Sequence, residues 1–205
     1  MPTSATARSI TAFWRWLADR PEHLAALVHP QQPFWDEVLG RLQRIDDGLF
    51  FELSEPDGLA RELVLTARGD SRLFPLVEAV AAQAPRLPGW TVIALKPAQG
   101  FDFSTDFEGL RLEPRRMWFL PLTHREAPAA LGLRVAVPDL DPKQAADARS
   151  GVWVVLDTAL GEREAEAIQH LELCPVPAAP EQAGFIELPE LARYLDHHRR
   201  RHPRS

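Results

Sequence analysis

Apolar residues recur at Ile10, Phe13, Trp14 and Leu17, the i, i+3, i+4, i+7 spacing of one helical face, and the pattern resumes at Leu24, Leu27 and Val28 beyond Pro21. This predicts an amphipathic helix kinked at the proline. Phe34, Trp35, Val38, Leu39, Leu42 and Ile45 repeat the pattern behind Pro33, with H-P-Q-Q-P as a short connector. Two stripes that each need burial predict an N-terminal helical hairpin laid against a sheet.

Past Asp46-Asp47-Gly48 the period changes. Residues 49–53 and 61–67 are strand-like and the S-E-P-D-G turn chemistry between them predicts a hairpin. Gly69 and Asp70 break the run, and Asp70 or Ser71 can cap a helix whose apolar face is Leu73, Leu76, Val77, Val80, Ala81 and Ala84. Pro85 stops it and Pro88-Gly89 turns the chain. Residues 90–95 are then apolar nearly throughout, as expected of a strand covered on both faces. The stretch 63–95 thus reads as a β-α-β unit, right-handed if its strands are parallel.

The second half is less regular. F-D-F-S-T-D-F-E-G places Phe101, Phe103 and Phe107 on one face of a half-exposed strand, with Asp102, Ser104, Asp106 and Glu108 on the other. Strands are predicted at 117–122 and 131–137 around the loop T-H-R-E-A-P-A-A, a weak helix at 139–149, an apolar strand at 152–156, a short helix at 157–167 and a last strand at 168–173. A proline-rich connector leads to a final amphipathic helix at 188–198. Strand pair, helix and apolar strand at 49–96 recur in outline at 117–156, which hints at duplication. The expectation is an α+β fold: a mixed sheet with ferredoxin-like β-α-β elements, helices mainly on one face, and an N-terminal helical hairpin. One domain over 1–205 is expected, with helices at 8–46, a sheet region at 49–174, a C-terminal helix at 188–198 and a basic tail at 199–205.

Composition changes the picture in three ways. With 205 residues, 45% hydrophobic and 25% charged, the chain is an ordinary globular sequence rather than a disordered one. No run approaches the ~20 apolar residues of a membrane span, the N-terminus has no apolar leader region, and the single Cys174 excludes an internal disulfide. These features predict a cytoplasmic protein without membrane contact. Lysine occurs only at Lys96 and Lys143 while arginine, alanine and proline abound, which reads as a coding bias of bacterial type. Five arginines (193, 199, 200, 201, 204) against Asp196 give +4 from residue 191 onward, so the net −6 leaves −10 for the rest. That acidic body argues against nucleic acid as a partner.

Signatures of known chemistry are missing: there is no Gly-rich phosphate loop, nucleophile elbow, H-E-x-x-H or paired C-x-x-C. Asp102, Asp106 and Glu108 raise a divalent-cation or hydrolytic reading, with Arg115, Arg116 and His124 near in sequence. Alternate strand residues lie about 6.6 Å apart, so one ion cannot bridge them unaided, and a solvated edge is the plainer reading. His170, Glu172 and Cys174 invite a thiol-imidazole dyad, but on a strand the first and last are about 13 Å apart, far beyond the ~3 Å a base must reach. R-G-D-S at 68–71 is turn chemistry, and His198 with His202 forms an i, i+4 pair at the chain's end. Six tryptophans are many for this length; Trp14, Trp16 and Trp35 lie on the N-terminal helices, and Trp14 and Trp16 cannot both be central on one narrow face, so one is expected as an exposed anchor.

A-P-R-L-P-G-W-T-V-I-A-L-K-P at 84–97, L-D-T-A-L-G-E at 156–162 and F-W-R-W-L at 13–17 resemble a family of small bacterial proteins known as a domain of unknown function. The resemblance implies no activity, cofactor, ligand or catalytic residue. The expected function is therefore a non-enzymatic domain that contacts another protein, or itself, through the N-terminal helices, without a cofactor. The alternative is a protein that binds a small molecule or a divalent cation, or hydrolyses its ligand, with its site beside 101–108.

Overall fold

Thr3 accepts a hydrogen bond from the Thr6 amide (3.2 Å) and so caps the first helix, α1 (Ser4–Ala18). Pro21 opens α2 (Pro21–Ala26) rather than kinking one long helix, and Pro33 opens α3 (Pro33–Leu42) in the same way. The computed structural model describes residues 3–26, 33–54, 61–124, 127–141 and 145–202. Most of the H-P-Q-Q-P connector, most of the S-E-P-D-G turn and the end of the basic tail lie outside the described residues. The fold is α+β, in two compact units, Met1–Lys96 and Pro97–Ser205.

In the first unit β1 (Phe50–Leu53) pairs antiparallel with β2 (Arg61–Thr66), and β2 pairs in parallel with β3 (Trp90–Ala94) across the helix α4 (Phe74–Ala82). The β-α-β reading holds. Asp70 accepts from the Arg72 amide (3.1 Å) and starts one turn of 3-10 helix, Ser71–Leu73, that runs into α4. One face of the sheet carries Leu63 and Leu65, with Phe51, Leu53, Val92 and Ala94 beside them, and joins Ile10, Phe13, Trp14, Leu17, Trp35, Val38, Leu42, Val77 and Val80 in one core. All three of α1, α3 and α4 cover that face. β3, expected to be buried on both sides, is an edge strand with Thr91 exposed, because β2 takes the centre.

The second unit begins with a short hairpin, β4 (Thr105–Phe107) and β5 (Leu110–Leu112), so only part of the predicted 101–108 strand forms. β6 (Trp118–His124) and β7 (Ala127–Val137) make a longer hairpin that absorbs most of the predicted loop. The next prediction fails: residues 152–156 are not a strand but the middle of α5 (Ala145–Leu160). Ala148, Val152, Val155, Leu156 and Ala159 are buried while Val154 is 44% exposed, which is a helical period that five consecutive apolar residues concealed. Gly161, at φ +78°, ends α5 and is followed by α6 (Glu162–Ala165). β8 (Ile168–Pro175) then pairs in parallel with β7, and the two-residue β9 (Ile186–Glu187) pairs with β6, giving the order β8-β7-β6-β9. A 3-10 turn, Leu188–Glu190, leads into α7 (Leu191–Arg201).

Each unit therefore contains hairpin, helix, parallel strand. The second copy of that arrangement spans β6 to β8, beyond the predicted 117–156, because the true crossover helix is longer than expected. Among the described residues none of the three sheets has the ferredoxin-like arrangement β-α-β-β-α-β. Among the described residues no helix is long and apolar enough to cross a membrane.

Three substitutions test this packing. A Cβ on Gly151 would lie 2.9 Å from Phe107 Cγ and 2.9 Å from Leu112 Cδ1. Gly151→Ala should then destabilise by about 1–3 kcal/mol, reversing the ~1 kcal/mol gain that alanine usually gives inside a helix. The Trp14 indole donates to the Val80 carbonyl (2.8 Å), whereas the buried Trp35 indole N–H has no partner. Trp14→Phe should cost about 1 kcal/mol more than Trp35→Phe. Urea midpoints followed by far-ultraviolet circular dichroism check both.

Candidate binding site

The tryptophans of the N-terminal helices, one of which was expected as an exposed anchor, are core residues. Trp14, Trp16 and Trp35 are 3%, 8% and 1% exposed. Trp16 is the off-face residue of α1, and it is nonetheless covered: Phe34 stacks on it at 5.6 Å, and the guanidiniums of Arg20 and Arg41 lie 4.6 and 4.2 Å from its ring. Arg20 is further fixed by donating to the Trp16 carbonyl (2.7 Å). The expectation of an exposed tryptophan is corrected by this cover of Phe34 and two arginines.

The acidic row is exposed but met by arginines. Arg115 Nε donates to Asp102 (2.8 Å), Asp106 sits opposite Arg111 in the β4–β5 register, and Arg111 also donates to Glu113 (2.7 Å). Glu108, at φ +49°, forms the hairpin tip with Gly109. Among the described residues no group of three His, Cys, Asp or Glu side chains could hold a metal ion. His124 ends β6, and its side chain lies outside the described residues.

Arg116 behaves differently from Arg115. It leaves the 3-10 turn Pro114–Arg116 and lines an open cleft of about 390 Å³ with Pro138, Asp139, Leu140, Pro175 and Val176. The position follows from the topology. β7 and β8 are parallel, and their carboxyl ends, Val137 and Pro175, are register partners. The chain leaving each strand builds one wall, which is where open sheets with parallel strands take ligands. Asp139 occupies the left-handed region at φ +56°, a conformation that aspartate tolerates. The Arg116 guanidinium stands 4.0 Å from Asp139 Oδ2 and 3.9 Å from Glu113 Oε2, so neither carboxylate is hydrogen-bonded to it.

No family model, curated protein or solved structure matches the chain. Its chemistry has to be read from its own residues.

On the face of the β6–β7–β8 sheet opposite the core, Arg134 holds Glu172 through Nε (2.9 Å), and Glu172 meets His170 Nε2 at 3.2 Å. Gly132 makes room: a Cβ there would come within 3.3 Å of His170 Cβ. Cys174 shares this face, four residues along the strand from His170, so thiol and imidazole cannot act as a pair. Burial, with Glu172 adding to it, pushes the Cys174 thiol up, away from the thiolate form. The Arg134 and then the His170 hydrogen bonds hold Glu172 below its ordinary value of 4.5. Of the residues singled out from the sequence, only Arg116 belongs to the cleft. Pro138, Asp139 and Pro175 escape the reading of the sequence, although a proline at the end of each of two apolar strands was their available signal.

A depressed carboxyl adds stability that is complete above its unfolded value and is lost as the pH falls through the lower folded one. Arg134→Gln should therefore move the Glu172 carboxyl titration up toward 4.5. The thermal midpoint of that variant should fall less than that of the parent on acidification below pH 4.5. Carboxyl carbon NMR and calorimetry check the two expectations.

Proposed function

We propose that the protein binds a small zwitterion in the cleft at the carboxyl ends of β7 and β8. The observation that carries this reading is the pair of opposite charges, Arg116 and Asp139, lining one cleft 4.0 Å apart with no hydrogen bond between them. A guanidinium offers a planar fork of donors that matches a carboxylate, and the aspartate accepts from an ammonium. Pro138, Leu140, Pro175 and Val176 add an apolar surface for a short aliphatic side chain. A volume of about 390 Å³ lies at the small end of ligand pockets, roughly 300–1,000 Å³. These features together favour an amino acid or a molecule of that size and charge over a bare anion, which Asp139 and Glu113 would repel.

Isothermal titration with L-leucine, N-acetyl-leucine and leucine methyl ester tests the reading. Leucine should bind, and each derivative, having lost one of the two charges, should bind roughly tenfold or more weakly. Arg116→Gln should abolish the preference for the free carboxylate, and Asp139→Asn the preference for the free amine. Leucine binding unchanged in both variants, or no heat at tens of millimolar leucine, would overturn the proposal.

A further inference from the structure

α7 carries two faces of different chemistry. Leu191 and Leu195 are buried in the core of the second unit, and Tyr194 packs edge-on against Phe119 at 5.6 Å. Arg193, His197, Arg200 and Arg201 recur at i, i+4, i+7 and i+8, which puts them on the opposite side of the helix, exposed along its length. Not every arginine of this helix is available. Arg199, off that stripe, is held by Glu164 at 2.6 Å and Asp196 at 2.8 Å. Arg193 is 87% exposed and 3.6 Å from Glu190, beyond hydrogen-bonding distance, while Arg200 and Arg201 have no ion pair among the described residues.

We propose that this stripe docks a short acidic peptide segment of a partner protein. Charge complementarity is the first reason. Arginine forks engage carboxylates with two parallel bonds, and here the exposed Arg200 and Arg201 have no ion pair among the described residues while Arg193 has only a loose one with Glu190. Extent is the second. From residue 193 to 201 a helix rises about 12 Å, the reach of roughly four extended residues. A segment of that length with two or three carboxylates matches the stripe and ends within it. A nucleic-acid strand, carrying a phosphate about every 3.4 Å and continuing beyond, would run on to the acidic surface of a body that carries −10 outside residues 191–205. The contact is electrostatic and exposed, so it weakens steeply with salt and works as a recruiting surface rather than as a permanent interface.

Fluorescence anisotropy on the full chain tests this, using a labelled hexaglutamate peptide, a labelled hexalysine peptide and a labelled single-stranded DNA hexanucleotide. Hexaglutamate should bind at low salt, lose roughly tenfold or more in affinity on raising the salt to about 0.5 M, and outcompete the DNA. Arg200→Gln with Arg201→Gln should weaken it roughly tenfold, and Arg193→Gln alone should weaken it by a smaller factor, with circular dichroism unchanged. Arg8→Gln, on the exposed side of α1, should leave it unaltered. Equal or tighter binding of the DNA, hexalysine binding as strong as hexaglutamate, or variants that bind as the parent does would each overturn the proposal.

Discussion

A parallel pair of strands cannot be closed by a tight turn, and that constraint shapes both units of this protein. β2 reaches β3 only through α4, and β7 reaches β8 only through α5 and α6. The crossover helix must cover the sheet it spans, so its inner residues become core: Val77 and Val80 in one unit, Val152, Val155 and Leu156 in the other. The strand shared by the hairpin and the parallel pair then becomes an inner strand of its sheet. This is why β2 and β7 hold the densest runs of buried residues while β3 and β8 remain at the edges.

The same constraint creates the places where function can reside. At the carboxyl end of each such inner strand the chain must leave the sheet and start a crossover, and both units do so with a left-handed residue two positions past the strand, Arg68 in one and Asp139 in the other. In the first unit the surroundings are occupied by their own side chains. Arg68 lies over the Phe50 ring at 3.7 Å, and Asp70 is engaged by Arg72. In the second unit the charged partner comes from a separate turn before β6, and Arg116 and Asp139 stay beyond hydrogen-bonding distance. Near-identical backbone devices thus differ in whether their polar atoms are satisfied.

Arginine placement extends this distinction across the molecule. Arg20 and Arg41 cover Trp16, Arg111 and Arg115 neutralise the hairpin carboxylates, and Arg134 fixes the polar face of β8. Those guanidiniums have local duties in packing or charge balance. Arg116 and Arg193 meet carboxylates only at 3.6–4.0 Å, without hydrogen bonds, and Arg200 and Arg201 have no ion pair among the described residues, which is what makes them candidates for binding.

Local chemistry was legible in the residues before any fold was known. Pro33 and Asp70 set helix starts through backbone restriction and capping, periodicity located α1, α3 and α4, and turn chemistry marked the hairpin of β1 and β2, whereas Gly161, expected inside a short helix, ends α5. The α+β class followed from those elements. Burial depends on neighbours distant in the chain, so everything that turns on it waited for the folded chain. Val152 to Leu156 fit a strand as well as a helix until Phe107 and Leu112 closed on Gly151 and gave that segment one buried side. One of Trp14 and Trp16 was expected at the surface, and α3 covers Trp16 with Phe34 and Arg41. Arg116 and Asp139 are 23 positions apart, with no periodicity between them, and only the tertiary arrangement around the parallel ends of β7 and β8 draws their loops into one cleft.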